Sequence, residues 1–337
     1  MSVHFVGNKV ADVLPDLSAA PLDLNDITRE VLKNYFTSPF ARLNGFETFY
    51  HSSSLEYNTC FNLAGKIFDG EMDFHKASQE LAKWLYEQSG SHFIKKGEFF
   101  VVFFKDVLID GMNVDALGMF KSENKEKFIK VGGSGNKLSL EVEEGLYVNK
   151  LDKGCLVFNM DKESGYRVLS IDNTNKGSDA RYWVNDFLGL RPAADNFHHT
   201  GNAMDMARLF ITQTMPEEFD VSKVNKAEYL NRSADYFKTR DQFQEEEFAQ
   251  EVFVHPNLVS SFGRFKEQYE RNAGTELAEE FEISAPAVKK KWSGMRSVLK
   301  LDKNFHIYIH GDTRLIENGY DEAAGKKFYK LYYDTES

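Results

Sequence analysis

A change of period near residue 97 constrains this chain most. Glu98-Phe-Phe-Val-Val-Phe-Phe104 is a nearly continuous apolar run of strand length, the pattern of a strand covered on both faces. Asp110-Gly111 is a turn dipeptide that returns the chain through Met112 to Lys121 as a hairpin. Strand-like segments follow at Lys127–Val131, Lys137–Val142, Leu146–Lys150, Cys155–Met160 and Tyr166–Ile171, separated by turns rich in Gly, Asn and Asp. Parallel neighbours need crossovers of a dozen or more residues, so connections this short require a largely antiparallel sheet.

Helical periodicity flanks this region. Asn25 or Asp26 caps a helix with Ile27, Val31, Leu32 and Phe36 on one face. Asp73 caps another, in which Phe74, Ala77, Leu81, Trp84 and Leu85 recur at helical steps. Residues 40–72 carry no clear period. After Arg181–Thr212, a joint with an aromatic opening (Tyr182, Trp183, Phe187, Leu188), the chain turns helical. Asn225–Val252 reads as one long or broken helix, and Pro256 opens the next. Phe281–Ile283 is a short strand. Pro286–Lys303 reads as a helix burying Val288, Trp292, Met295 and Leu299. Phe305, Ile307 and Ile309 then alternate in a strand, and Phe328–Tyr333 closes the unit. The expected class is α+β: a domain over 1–180 with helices packed on an antiparallel sheet, then a helical region with a C-terminal helix-plus-β-hairpin unit over 181–337.

At 337 residues with 42% hydrophobic content the chain can bury a core large enough to exclude wholesale disorder. No apolar run reaches bilayer length and the N-terminus lacks a secretion signal, so the chain is expected to be cytoplasmic. Cys60 and Cys155 form no CxxC pair and read as buried small residues. The net charge of −11 argues against a uniformly basic surface, but the charge is segregated. Asp241–Glu282 holds 11 acidic and 3 basic residues, whereas Pro286–Lys303 holds 6 basic and 1 acidic. On a helix, Lys289, Arg296 and Lys300 fall within about 40° of one another, with Lys291 on the other flank. Such a row suits a phosphate backbone; it equally suits a solvated helix edge paired with the acidic block.

Other constellations are weaker. Gly132-Gly-Ser-Gly135 fits neither phosphate-loop spacing and reads as a hairpin loop. His198-His199 lacks a second ligand pair, so no metal is expected. Asp115, Glu123 and Lys125 faintly suggest a divalent-metal nuclease. No GxSxG elbow supports nucleophilic catalysis.

Arg181-Tyr182, Phe187-Leu188-Gly189 with its turn, and the helix continuing to Phe210 resemble the bacterial nucleoid-associated protein family typified by NdpA, also called YejK. The order Phe281-x-Ile283, short helix, Phe305-His-Ile-Tyr-Ile-His-Gly-Asp312 also resembles that family's C-terminal unit. The N-terminal element order and the chain length agree with it. The resemblance implies nucleoid association and binding of double-stranded DNA without catalysis or cofactor. It also implies a link, in some members, to type II topoisomerases. Where a family member carries a basic cluster after Phe187-Leu188, this chain keeps only Arg191. The expected contacts, mainly to phosphates, are therefore Lys289, Arg296, Lys300 and Lys291, with Arg181, Arg191 and Arg208 at the joint. No membrane partner is expected, and a homodimer is compatible with the reading. The alternatives are a protein-interaction module of the same family without appreciable DNA binding, and the nuclease.

Overall fold

Alternation along one long strand explains how the N-terminal unit is layered. The strands are β1 (Ser2–Val6), β2 (Asp16–Leu17), β3 (Glu47–Phe49), β4 (Gly97–Ile109), β5 (Met112–Ser122), β6 (Glu126–Ser134), β7 (Lys137–Gly145), β8 (Lys153–Phe158), β9 (Arg167–Asp172) and β10 (Leu190–Pro192). Eight of them form an antiparallel sheet in the order β10-β3-β9-β8-β5-β4-β1-β2. β4 buries Phe99, Val101 and Phe103 on one face, against α2 (Thr59–Phe68) and α3 (Phe74–Glu87). It turns Phe100, Val102 and Phe104 to the other, where α1 (Asp26–Thr37) supplies Phe36. Phe36 stacks on Phe120 at 4.2 Å between ring centroids. The apolar run is thus covered on both sides, and the fold is α+β. In the computed structural model the described residues are 1–109, 111–134, 137–174, 182–273, 277–295, 298–309 and 315–335. The chain divides into two compact units, Met1–Ala193 and Ala194–Ser337.

Caps fix the first-unit helices. Asn25, rather than Asp26, accepts from the Thr28 amide at 2.8 Å, and Asp73 accepts from Lys76 at 3.0 Å. The expected strand at Leu146–Lys150 is absent. There the Lys150 amide turns back to the Tyr147 carbonyl at 3.1 Å, because the chain must leave the β6–β7 hairpin and re-enter the main sheet at β8. The aromatic opening of the joint is a π-helical segment, Tyr182–Leu188, with Tyr182, Trp183, Phe187 and Leu188 buried. Gly189, at φ +64°, turns it into β10, and a Cβ there would collide with the Asn58 amide.

The second unit is organised around a Phe cluster. Its elements are α4 (Asn196–Leu209), α5 (Met215–Glu218), α6 (Lys223–Thr239), β11 (Gln242–Gln244), α7 (Glu245–Phe253), α8 (Pro256–Ala273), β12 (Glu280–Glu282), α9 (Ala285–Lys291), β13 (Val298–Leu301), β14 (Phe305–Tyr308), β15 (Ile316–Asp321) and β16 (Lys326–Leu331). Phe210, just past α4, meets Phe253 and Phe262 at 5.0 and 5.3 Å. The expected 225–252 helix is broken at Arg240. The break lets Phe243 stack on Phe281 across the β11–β12 pair at 4.7 Å.

Two further expectations change. The helix expected over Pro286–Lys303 ends at Lys291, followed by a 3-10 turn over Trp292–Met295, and Val298–Leu301 is a strand. Gly294 weakens helix continuation, and Val298-Leu299 instead pair with the alternating strand at Phe305–Tyr308. The C-terminal strands therefore form two hairpins, β13–β14 and β15–β16, rather than one.

Candidate nucleic-acid interface

In the second unit α9 lies along α4, and sequence explains how closely. Asp195 caps α4 by accepting from the His198 amide at 2.8 Å. Ser284, at the start of α9, donates its amide to Thr200 Oγ1 at 2.9 Å, pinning the two helices. α9 buries Ala287 and Val288, which forces Lys289 and Lys290 outward. Lys291 runs its stem past Gly201, where an added Cβ would sit 3.5 Å from its Cε, and its ammonium pairs with Asp205. Arg208 Nε lies 4.0 Å from the other oxygen of Asp205, and its stem fits against Gly294. Lys290 Nζ sits 5.3 Å from the Phe197 ring centre.

Phe197, Gly201, Asp205 and Arg208 thus mark one stripe of α4, about 16 Å long at 1.5 Å per residue, with Lys290 and Lys291 of α9 beside it. Lys238, at the end of α6, joins from the side: its Nζ is 5.7 Å from the Trp292 ring centre. Among the described residues no carboxylate pairs with Lys289 or Lys290. The acidic block is engaged elsewhere: Glu245, Glu270 and Glu279 surround Lys266, and Glu247 and Glu251 hold Arg240. Three lysines in the last turn of α9 also complement the helix dipole. That role needs charge at the turn but no open face.

The expected row is rearranged. Lys289 and Lys291 are on α9 and Lys300 is on β13 opposite His306, so Lys289 and Lys300 do not share one helix. Arg296 and Arg181 lie outside the described residues. Arg208 joins the α9 lysines. Arg191 is exposed on β10 in the first unit, its guanidinium 4.6 Å from the Tyr50 ring centre. Tyr50 lines a cavity of about 500 Å³ with His51, Tyr57, Trp84 and Asp186. Lys238 is absent from the expected set because its partner Trp292 is distant in sequence. Lys290 is absent because a long helix would have turned it from the row.

Asp115, Glu123 and Lys125 do not come together. Asp115 and Glu123 are eight residues apart along the direction of β5, about 26 Å at 3.3 Å per residue. Lys125 pairs with Glu98 at 2.6 Å, and Asp115 accepts from the Asp106 amide at 3.3 Å. Glu123 is buried, 3.0 Å from Lys121 Nζ and 3.7 Å from Lys153 Nζ. It also accepts from the Tyr182 hydroxyl at 2.8 Å. Burial draws the Lys121 ammonium below its ordinary range and, with Glu123 close by, pushes the Tyr182 phenol well above it. This network anchors the π segment to the sheet.

His198 Nε2 lies 2.9 Å from the Asn202 amide nitrogen. Burial, reinforced by His199, lowers its affinity for a proton. His199 packs on Phe281 at 5.6 Å. Among the described residues no group of three or more His, Cys, Asp or Glu is placed to hold a metal ion. Cys60 and Cys155 are free and buried, and burial raises both thiols. No helix among the described residues is long and apolar enough to cross a membrane.

A family model described as nucleoid-associated protein YejK matches residues 2–326. No curated relative matches the chain. The chain belongs to the YejK family of nucleoid-associated proteins, whose place is the bacterial nucleoid.

Proposed function

We propose, from membership of the YejK family, that this protein binds double-stranded DNA without cleaving it, mainly through phosphates, on the α4–α9 face of its second unit. The observation that carries the reading is the pair Lys289 and Lys290, exposed and without a carboxylate partner among the described residues in a chain of net charge −11. Lys291 and Arg208, held in place by Asp205, lie along α4 next to Lys290, and Lys238 widens this surface. A stripe about 16 Å long spans roughly five phosphates at 3.4 Å of axial rise per strand. Lys300, Arg296, Arg181 and Arg191 complete the proposed set. The acidic remainder limits indiscriminate binding and is the surface offered to a protein partner; a type II topoisomerase is the one the family resemblance suggests. We place the domain boundary for this division of labour at the joint, between residues 180 and 194.

The test is a titration of labelled duplex DNA over a range of salt, with and without Mg²⁺. Binding at low salt that falls linearly in log–log form as salt rises is expected. Absence of binding at low salt would favour the protein-interaction module, for which the −11 charge speaks. Strand cleavage that requires Mg²⁺ would overturn the non-enzymatic reading.

A further inference from the structure

The β6–β7 hairpin stands apart from the main sheet as its own two-stranded ribbon. Its register pairs Lys127 with Glu144, Ile129 with Val142, Val131 with Leu140 and Gly133 with Leu138. Side chains of directly opposed residues share a face, so one face carries Ile129, Val131, Leu138, Leu140 and Val142. These five are between 65% and 85% exposed, and none belongs to a buried cluster among the described residues. The opposite face is mostly polar, with Lys130, Glu141, Glu143 and Ser139, and an ion pair between Lys130 and Glu143 at 3.0 Å. Phe128 is its one large apolar group. A ribbon with one apolar and one charged face is patterned to be covered on one side. An isolated two-stranded hairpin is also only marginally stable in water.

We infer that this face is a self-association surface, closed by the same face of a second copy of the chain. Three features select that occupant. First, the area is of the right order: the five residues expose on the order of 600 Å² per copy, so face-to-face closure buries up to roughly 1,200 Å² in total, at the lower end of specific interfaces. Second, the charges are self-complementary. A two-fold axis parallel to the strands lays β6 of one copy over β7 of the other, which brings Lys127 opposite Glu144 of the second copy, and the reverse. Third, the shapes match under the same axis. Ile129 meets Val142 of the second copy, Val131 meets Leu140, and Leu138 projects over Gly133, which has no side chain. Each contact occurs twice, as an isologous interface requires. The charged outer face then keeps the paired ribbons from stacking further.

The test is sedimentation equilibrium of the full chain beside Leu140→Lys, Val131→Lys and Ser139→Lys. The last adds the same charge to the opposite face. The wild type and Ser139→Lys are expected to dimerise, and the two inner-face variants to weaken the dimer by at least about 100-fold, because each places an unpaired ammonium in the apolar contact. A second readout does not depend on disrupting the ribbon. The two native thiols are buried, so a short bis-maleimide linker is expected to join Leu140→Cys chains into dimers and to leave Ser139→Cys chains unjoined. A wild type that stays monomeric up to about 100 µM, inner-face variants as dimeric as the wild type, or equal cross-linking at both positions would each overturn the proposal. DNA affinity is read separately on α9, so failure here leaves that reading standing.

Discussion

In the first unit, Lys121 and Lys153 are 1% and 0% exposed, enclosed by Glu123, Asp172 and Tyr182. In the second, Lys289 and Lys290 stand in solvent, one of them beside a ring. The same residue type serves as an internal fastener in one unit and as surface charge in the other. Net charge therefore says little about what charge a partner meets: inward lysines are cancelled locally, and outward ones act on a partner that comes within about a Debye length.

The largest effect is expected at Glu123. Glu123→Ala leaves two buried ammonium groups without their shared anion and is expected to cost about 3–5 kcal/mol of stability in chemical denaturation. The salt slope for DNA of the folded fraction should not change. Glu123→Ala that denatures like the wild type but loses a Mg²⁺-dependent activity would assign Glu123 to catalysis instead.

Acid should also act on the first unit. His4 is buried; its Nδ1 accepts from the Ser18 amide at 3.2 Å and its Nε2 lies 2.9 Å from Ser78 Oγ. Burial, with His75 nearby, lowers its pKa from 6.5 to about 4. The unfolded imidazole gains its proton at higher pH than the folded one. The stability from this site is thus complete above about pH 6.5, is lost as pH falls towards 4, and amounts to about 3 kcal/mol. Denaturation midpoints measured between pH 7 and 4 should fall less steeply in His4→Gln than in the wild type. Equal slopes would show that His4 is not the group responsible.

The smallest effect is expected at Lys125, 44% exposed and paired with Glu98. Lys125→Ala should change stability by no more than about 0.5 kcal/mol and DNA affinity not at all. A loss of several kcal/mol would show that the edge of the first unit also relies on ion pairs.

The antiparallel sheet was legible because Glu98–Phe104 and the short turns after it admit few other folds. α3 was legible from its Asp73 cap. α2 was not: its apolar set, Cys60, Leu63, Ala64 and Ile67, is short and carries Gly65 among it. The pairing of β3 with β10 joins segments far apart in sequence and leaves no local pattern in three-residue strands. The Pro286–Lys303 region misleads because Val288, Trp292, Met295 and Leu299 happen to keep helical spacing, while pairing with Phe305–Tyr308 decides the outcome. At the candidate interface, Lys289 and Lys291 were visible as part of a basic run. The contacts that place them, Gly201 under Lys291 and Asp205 between Lys291 and Arg208, join segments far apart in sequence.

The most direct test of the proposed interface is the salt slope of duplex binding for Lys289→Ala/Lys290→Ala against Lys76→Ala/Lys83→Ala, two exposed lysines of α3 in the first unit. Both pairs remove the same charge. If phosphates sit on the α4–α9 face, the first pair lowers the log–log slope by about 1.8, at roughly 0.9 per contact, and the second leaves it unchanged. Equal slopes in the two variants would place the DNA elsewhere or nowhere on this protein.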